Sequence, residues 1–189
     1  MIMKEKYNSL SRKQKSILHG AAYVAVIALI AFIWNSFFFS PLKVSGDSMN
    51  PALRDKDLVI VDRISYKVNG AERFDMVIFP YKYDNSRKLI KRVIGLPGET
   101  VEIIDSVIYI NGEELEEYYG IYDKNMVTRY SHFGPVKLGD DEYFVMGDNR
   151  DHSDDSRSDD VGAIKEDEII GKLCFRIWPF NAIGSLKYQ

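Results

Sequence analysis

The amino-acid sequence predicts a mostly β domain that follows a single membrane-spanning helix near the N-terminus. The first observation is a run from Ser16 to Leu42 that contains no Asp, Glu, Lys or Arg. The second is a series of short segments after Pro41 that are rich in Val, Ile and Phe and bounded by Gly, Asn and Asp. Such segments are typical of strands, and helical signals are few among them.

The uncharged run is long enough to cross a bilayer. Its apolar part offers about 20 residues, and a helix of that length rises about 1.5 Å per residue across a hydrocarbon core of about 30 Å. A buried core helix would be apolar on one face rather than on all sides. A cleaved secretory signal would end in a small-x-small site, and the run ends instead in residues 37–42, FFFSPL. We therefore predict an uncleaved anchor over residues 17–40.

The charge distribution predicts the orientation of this anchor. Residues 1–16 contain five basic residues and one acid, a net charge of +4, so the rest of the chain carries −7 to give −3 overall. Basic flanks tend to remain in the cytoplasm. The sequence therefore predicts a single-pass cell-membrane protein with a cytoplasmic leader (1–16) and an extracytoplasmic domain (41–189). The acidic domain has no electrostatic support for a nucleic-acid partner.

The strands of the domain are predicted by their composition and by the turns between them. Asn69-Gly70 and Asn111-Gly112 mark tight turns, and Asn-Gly is the strongest short hairpin signal. Short helical turns are expected at 48–53 and 165–170, and residues 99–140, rich in hairpin signals and Tyr, are expected to form a separate β lobe. The predicted strands are 57–64 (DLVIVDRI), 75–79 (DMVIF), 101–105 (VEIID), 106–110 (SVIYI), 142–148 (EYFVMGD) and 169–178 (IIGKLCFRIW).

Ser48 is the candidate nucleophile, and two different bases could activate it. A serine hydroxyl needs an adjacent base before it can attack a carbonyl. His152 is the only histidine suited to a Ser-His-Asp arrangement, but proximity cannot be read from spacing. The other base is Lys91. If this lysine points inward, desolvation lowers its pKa from about 10.4 towards about 7 to 8, and the neutral amine can accept a proton. A surface lysine on an edge strand is the alternative.

Metal and carboxylate chemistry have weaker support. Six aspartates lie between residues 148 and 160, but counting from Asp151 the sixth position of a calcium loop is Ser156 rather than Gly and the twelfth is Gly162 rather than Glu. We interpret this segment as a polar loop whose aspartates pair with arginines. A single cysteine, Cys174, excludes an internal disulfide and argues against a thiolate cluster. A glycosidase-type carboxylate pair is recognised by geometry only. No metal or cofactor is predicted.

Four stretches in this order resemble motifs of the bacterial type I signal peptidases. They are GDSMNPAL (46–53), DMVIF (75–79), KRVIGLPGE (91–99) and GDNRDHSDDSR (147–157). The resemblance extends over the chain from the anchor onward. It implies a signal-peptidase-like β fold with an inserted β lobe, and a membrane-anchored serine endopeptidase without cofactors. The implied substrates are secretory preproteins with small residues at positions −1 and −3 before the cut.

The resemblance also implies roles for individual residues. Ser48 matches the nucleophile, Lys91 the general base, and Ser153 the serine that helps to orient the lysine amine. His152 falls at a variable position of its motif, which disfavours the Ser-His alternative. The residues with supporting roles are Asp155 and Arg157, which match an ion pair, Asp148 and Arg150 of the same segment, and Met49 on the cleft side of the nucleophile.

Three positions depart from the family pattern, and none removes a residue of the Ser-Lys pair. Gly46 stands where some members have a serine that donates to the oxyanion, Ala52 stands where threonine is common, and Phe74 replaces the usual glycine before Asp75. The sequence disfavours two other classes of protein. A cytosolic self-cleaving repressor is disfavoured by the anchor, and a catalytically inactive, anchored peptide-binding assembly factor is disfavoured by the presence of both Ser48 and Lys91.

Overall fold

A computed structural model of the chain describes residues 11–120 and 130–186, which divide into two compact units, one ending at Phe38 and one beginning at Phe39. The first unit contains helix α1 (Arg12–Phe38). Its segment Arg12–Phe32 is long and apolar enough to cross a membrane, and none of it is buried. This helix fits a membrane anchor.

The second unit is built mainly from strands, which confirms the mostly β class. Within the described residues the strands are β1 (Phe39–Lys43), β2 (Leu58–Asp62), β3 (Met76–Tyr81), β4 (Asp84–Gly95), β5 (Thr100–Ile104), β6 (Val107–Ile110), β7 (Glu113–Glu114), β8 (Phe133–Lys137), β9 (Glu142–Met146), β10 (Ile164–Lys165), β11 (Gly171–Trp178) and β12 (Gly184–Ser185). Short helices are α2 (Ser65–Asn69) and two 3-10 turns, Glu166–Glu168 and Phe180–Ala182.

Two antiparallel sheets organise these strands. The larger sheet has the order β1-β2-β11-β3-β4-β9-β10, and β12 pairs with β11. The smaller sheet has the order β7-β6-β5-β8, and its strands all lie between residues 100 and 137. Of the lobe predicted at 99–140, residues 121–129 fall outside the described residues. Each of the six predicted strand segments overlaps an observed strand.

Two-residue turns join the strands of the smaller sheet, and the one at Asn111-Gly112 is predicted by the sequence. Asp105 and Ser106 both have positive φ, 50° and 68°, and join β5 to β6. Asn111 and Gly112, with φ of 55° and 86°, join β6 to β7. Positive φ at both central residues matches the right-handed twist of the flanking strands. Two tight hairpins therefore build most of the smaller sheet.

Helix α2 was not predicted. The sequence indicated only the turn at Asn69-Gly70, but the five residues before Gly70 are helical. The side chain of Tyr66 explains the difference, because it is buried at 3% exposure and its hydroxyl donates a hydrogen bond to the carbonyl of Ile169. Gly70 follows the helix with φ of 73°, a conformation that glycine adopts without strain. Tertiary packing thus sets this short helix.

Strand β4 carries two different faces and one open edge. Its residues Leu89 and Val93 pack into one apolar cluster, and Ile90 packs against a second cluster together with Ile78 of β3. This alternation follows from the period of two in a strand. Of strand β4, only the Arg92–Gly95 end pairs with β9. Within the described residues, the part of β4 before Arg92 therefore has a free edge on that side. Strand β1 pairs only with β2 and also has a free edge.

Candidate active site

Ser48 lies in a tight turn that the core holds in place. The Asn50 N–H donates to the Asp47 carbonyl at 3.0 Å, and the Leu53 N–H donates to the Met49 carbonyl at 2.8 Å. Met49 and Leu53 are both buried in the cluster beneath the larger sheet. Ser48 itself is half-buried, so a fixed backbone presents its hydroxyl at the surface of a cleft.

Lys91 comes from β4 and meets this hydroxyl. Its Nζ lies 2.8 Å from the Ser48 Oγ, although 43 residues separate the two in sequence. The Lys91 side chain is 2% exposed, which rules out the surface lysine considered as an alternative. Burial lowers the pKa of Lys91 from 10.5 to about 8, and the charges of Asp155 and Asp154 oppose the shift. Desolvation dominates because it penalises the ammonium form.

An amine in this environment can serve as a base. At a pKa of about 8 a substantial fraction is neutral near physiological pH, whereas an ordinary lysine is almost fully charged. The neutral Nζ has a lone pair within hydrogen-bond distance of the Ser48 proton, which meets the geometric requirement for general-base catalysis. No carboxylate forms an ion pair with Lys91 among the residues that the structure describes.

The loop of residues 147–157 packs directly on the nucleophile turn. The Asn149 N–H donates to the Ser48 carbonyl at 3.0 Å, and the Asn149 side-chain amide donates to the Asp47 carbonyl at 3.3 Å. A Cβ built on Gly147 would lie 2.5 Å from the Ser48 carbonyl oxygen and 2.2 Å from the Ser153 Oγ. Only glycine therefore permits this approach. The loop fixes the carbonyl side of the Ser48 peptide.

Three ion pairs involve residues of this loop, and one of them joins two residues that the resemblance pairs, Asp155 and Arg157. Arg157 contacts both oxygens of Asp155, with Nε and Nη2 each at 2.8 Å, and both side chains are fully buried. Asp155 also accepts a hydrogen bond from the Gly147 N–H at 2.9 Å. Arg157 reaches back to the Arg150 carbonyl at 2.6 Å. This pair closes the loop on itself.

Asp148 and Arg150 each have a partner that the sequence did not indicate. Arg92, the neighbour of Lys91, contacts both oxygens of Asp148 at 2.8 and 2.6 Å. Arg150 pairs with both carboxylate oxygens of Glu117 and donates from Nε to the Gly147 carbonyl at 3.0 Å. Burial raises the pKa of Asp148, and the guanidinium of Arg92 opposes that shift. The adjacency of Arg92 to Lys91 is the only signal that could have pointed to Arg92.

Ser153 is close to the site but is not bonded to Lys91. Its Oγ is buried and makes no hydrogen bond to any residue that the structure describes. It lies instead near Gly147, on the loop that contacts the Ser48 carbonyl. The role of orienting the lysine amine therefore stays a prediction for Ser153.

Within the described residues, neither His132 nor His152 makes a hydrogen bond to the Ser48 hydroxyl. His152 is exposed in the wall of the cleft, and the hydrogen bond to the Ser48 Oγ is made by Lys91. His132 is exposed on the smaller sheet, where its ring lies 3.3 Å from Asp105. Within the described residues no group of three or more His, Cys, Asp or Glu side chains is arranged to hold a metal ion.

A cleft of about 640 Å³ contains both Ser48 and Lys91 in its lining. Its apolar lining comprises Leu89 of β4, which packs in the other core cluster, and five further residues, which are Leu42, Val44, Met49, Ile78 and Ile90. All five also belong to, or pack on, the same core cluster. Met49 thus lies on the cleft side of the nucleophile, where the resemblance places it. The free edges of β1 and β4 border this cleft.

The Ser48 N–H is a backbone donor beside the nucleophile that can serve an oxyanion. It makes no hydrogen bond within the described part of the chain. The Gly46 N–H, in contrast, donates to the Asp55 carboxylate at 3.1 Å. Gly46 has no side chain to supply a second donor. The geometry defines a class of site, in which a hydroxyl and a buried amine share a cleft wide enough for an extended peptide.

Comparison with known proteins places this chain in a family. The family described as signal peptidase, peptidase S26, has a model that matches residues 17–178. Signal peptidase I S of Bacillus subtilis (strain 168) is 37% identical over 175 residues, covering 89% of this chain and 93% of the relative. Signal peptidase IB of Staphylococcus aureus (strain COL) is 35% identical over 183 residues, with the same coverage of 89% and 93%.

The chain belongs to the signal peptidase family, peptidase S26, and is an endopeptidase of the signal peptidase I type. This confirms the family resemblance and the expectation of an enzyme. A solved structure, a signal peptidase I from Enterococcus faecalis V583, is 36% identical and covers 55% of this chain and 96% of that chain, with a TM-score of 0.45.

Proposed function

We propose that this protein removes N-terminal signal peptides from secreted preproteins through a Ser48–Lys91 dyad, while α1 anchors it in the cell membrane. The observation that carries the proposal is the 2.8 Å contact between the Lys91 Nζ and the Ser48 Oγ, made by a lysine that is 2% exposed. Family membership supports signal-peptide removal as the reaction.

The reaction begins with a proton transfer. Neutral Lys91 accepts the Ser48 proton while the Oγ attacks the scissile carbonyl carbon, and the Ser48 N–H donates to the oxyanion. The resulting ammonium of Lys91 gives its proton to the leaving amine as the C–N bond breaks. Water then attacks the acyl-enzyme ester with Lys91 again as base, and the ester oxygen returns to Ser48. The signal peptide leaves with a free carboxylate.

The cleft suggests how the preprotein binds. The free edges of β1 and β4 offer backbone groups to an extended segment, which is the usual mode of strand addition. Side chains at −1 and −3 of such a segment face the same way, towards the apolar surface formed by Leu42, Val44 and Ile90. The core already packs closely beneath this surface, so small residues fit best at −1 and −3.

The supporting residues keep the dyad in place in this proposal. The Asp155–Arg157 pair and the Arg150–Gly147 hydrogen bond hold the loop whose Asn149 contacts the Ser48 carbonyl. Ser153 would rotate to the lysine amine when substrate displaces solvent. We further propose a leader at 1–16 on the cytoplasmic side, an anchor at 17–40 and an extracytoplasmic domain at 41–189 with an inserted lobe at 99–140. This topology puts Ser48 close in sequence to the membrane anchor.

The test is cleavage of a preprotein by the purified full chain in detergent. We expect processing of a substrate that ends in Ala-x-Ala, no detectable processing by Ser48→Ala, and nearly unchanged processing by His152→Ala because His152 is exposed and unbonded to Ser48. The His152 variant is a matched control, since both residues line the same cleft. Collapse of activity in His152→Ala would restore the Ser-His alternative. Binding of the preprotein without cleavage would favour an inactive, peptide-binding relative.

A further inference from the structure

The charged residues that line the cleft are not evenly distributed. Asp47 adjoins the nucleophile, and Asp154 belongs to the loop that packs on it. The strands contribute only cations, with Lys43 at the end of β1 and Arg87 and Lys88 in β4. All three cations are exposed. The strand-bordered part of the cleft is therefore lined by cations, although the protein as a whole has a net charge of −3.

Two of these cations face away from the apolar surface of the cleft. Lys43 lies between Leu42 and Val44, which both pack into the core cluster. Arg87 is an odd number of residues from Ile90, which packs on the same cluster. Because side chains alternate along extended backbone, Lys43 and Arg87 point to the opposite side from these three residues. Lys88 lies on the same face of β4 as Ile90 and places a third positive charge on that side of the cleft.

No carboxylate of the described residues contacts these cations directly. None of the three takes part in an ion pair within the part of the chain that is described. The Arg87 guanidinium lies 5.1 Å from the centroid of the Tyr81 ring. A cation–π contact of this kind orients the guanidinium and leaves its charge intact. The two side chains are thus available to an anionic group in the cleft.

We propose that Lys43 and Arg87 determine a further specificity of the enzyme, which favours an acidic residue at position −2 of the preprotein and disfavours a basic one. The inference rests on the proposed function. When −1 and −3 face the apolar surface, the −2 side chain of an extended segment points the other way, towards Lys43 and Arg87. A carboxylate there meets two cations, whereas a lysine there is repelled by both.

The expected effect is moderate because the cations are exposed. Single exposed ion pairs change an equilibrium by about two- to fivefold, and salt screens them over a Debye length of about 10 Å at 0.1 M. Two cations together should therefore separate Asp from Lys at −2 by about tenfold in kcat/KM at low salt. Most of the difference should appear in KM, since the contact exists in both the bound and the transition state.

The experiment compares three peptides with Ala at −1 and −3 and with Asp, Asn or Lys at −2, cleaved by the full chain in neutral detergent. We expect kcat/KM to fall in the order Asp, Asn, Lys, and the spread to shrink at high salt. The double variant Lys43→Glu/Arg87→Glu should reverse the order. Lys82→Glu is the matched control, because Lys82 is exposed and lies five residues before Arg87 in the sequence but is outside the cleft lining, and it should keep the original order.

The result separates this inference from the proposed function. Equal kcat/KM for the three peptides, or an order that survives the double charge reversal, overturns the role of Lys43 and Arg87 while leaving the peptidase activity in place. Binding of the same peptides to the Ser48→Ala variant reports the charge preference without any cleavage. If no peptide is cleaved, the proposed function fails, and the order of binding still decides whether the two cations select the residue at −2.

Discussion

Replacing Lys91 with methionine is expected to lower kcat by at least about 10³-fold, in line with the loss of a general base from a serine hydrolase. The substitution keeps the length and apolar character of the side chain, so the fold should be retained. The hydroxyl of Ser48 then has no base within hydrogen-bond distance, since Lys91 is its partner at 2.8 Å. The measurement is preprotein cleavage by the purified full chain in detergent.

The same variant should be more stable than the parent at neutral pH. The folded-state pKa of Lys91 is about 8 and the unfolded value is about 10.4. Below about pH 8 the ammonium is therefore buried at a cost of roughly 3 kcal/mol, of which the lost hydrogen bond to Ser48 offsets about 1 kcal/mol. Between about pH 8 and 10.4 the unfolded chain binds more protons, so the stability of the parent rises with pH. The difference in stability between Lys91→Met and the parent should therefore shrink over this pH range.

Denaturant unfolding of both proteins at several pH values measures this gap. A neutral control is Lys82→Met, which removes an exposed lysine and should shift stability by less than about 0.5 kcal/mol at any pH. If Lys91→Met retained substantial cleavage, or if its stability relative to the parent were independent of pH, Lys91 would be neither the base nor a desolvated amine.

Replacing Arg157 with methionine is expected to destabilise the fold by about 3 to 5 kcal/mol. Arg157 and Asp155 are both fully buried, and the substitution leaves the carboxylate of Asp155 without its cation. It also removes the hydrogen bond to the Arg150 carbonyl. The loop that contacts the Ser48 carbonyl should loosen, so cleavage should fall together with stability. The observable is the midpoint of unfolding followed by circular dichroism.

The exposed pair Lys56–Asp55 provides the matched control. Its atoms are 3.8 Å apart and its side chains are 76% and 43% exposed, so Lys56→Ala should change stability by less than about 1 kcal/mol. A double variant, Asp155→Asn/Arg157→Met, should recover part of the loss because no uncompensated charge remains buried. Equal effects of Arg157→Met and Lys56→Ala would show that the buried pair does not hold the loop.

The strands and the two residues of the proposed dyad could be predicted because their signals are local. Asn111-Gly112 requires positive φ, and apolar residues in short segments bounded by turns leave few alternatives to a strand. Ser48 and Lys91 each lie in a recognisable motif. The carboxylate that each buried arginine contacts, in contrast, has no local signal in the sequence. Arg92 meets Asp148 and Arg150 meets Glu117 across 56 and 33 residues of sequence, and only tertiary packing decides which carboxylate each one meets.

Helix α2 and the direction of the Ser153 hydroxyl likewise could not be predicted from local sequence. Ser65–Asn69 becomes helical because the Tyr66 side chain is buried against a segment about one hundred residues later in the chain, a contact without a local pattern. Ser153 sits in a clear motif, but the direction of its hydroxyl depends on a rotamer that the sequence does not encode. The sequence motifs therefore predicted which side chains gather at the site. The hydrogen bonds between those side chains could be assigned only from the folded structure.

The most direct test of the mechanism is the titration of the Lys91 amine in the intact protein, followed by NMR of isotope-labelled lysine ε-carbons and assigned with the Lys91→Met variant. The proposed mechanism predicts a midpoint of about 8 for Lys91, together with a kcat/KM that rises about tenfold per pH unit below that midpoint and levels off above it. A midpoint near the ordinary lysine value of about 10.4 would contradict it, because the amine would then be charged when it has to accept the proton.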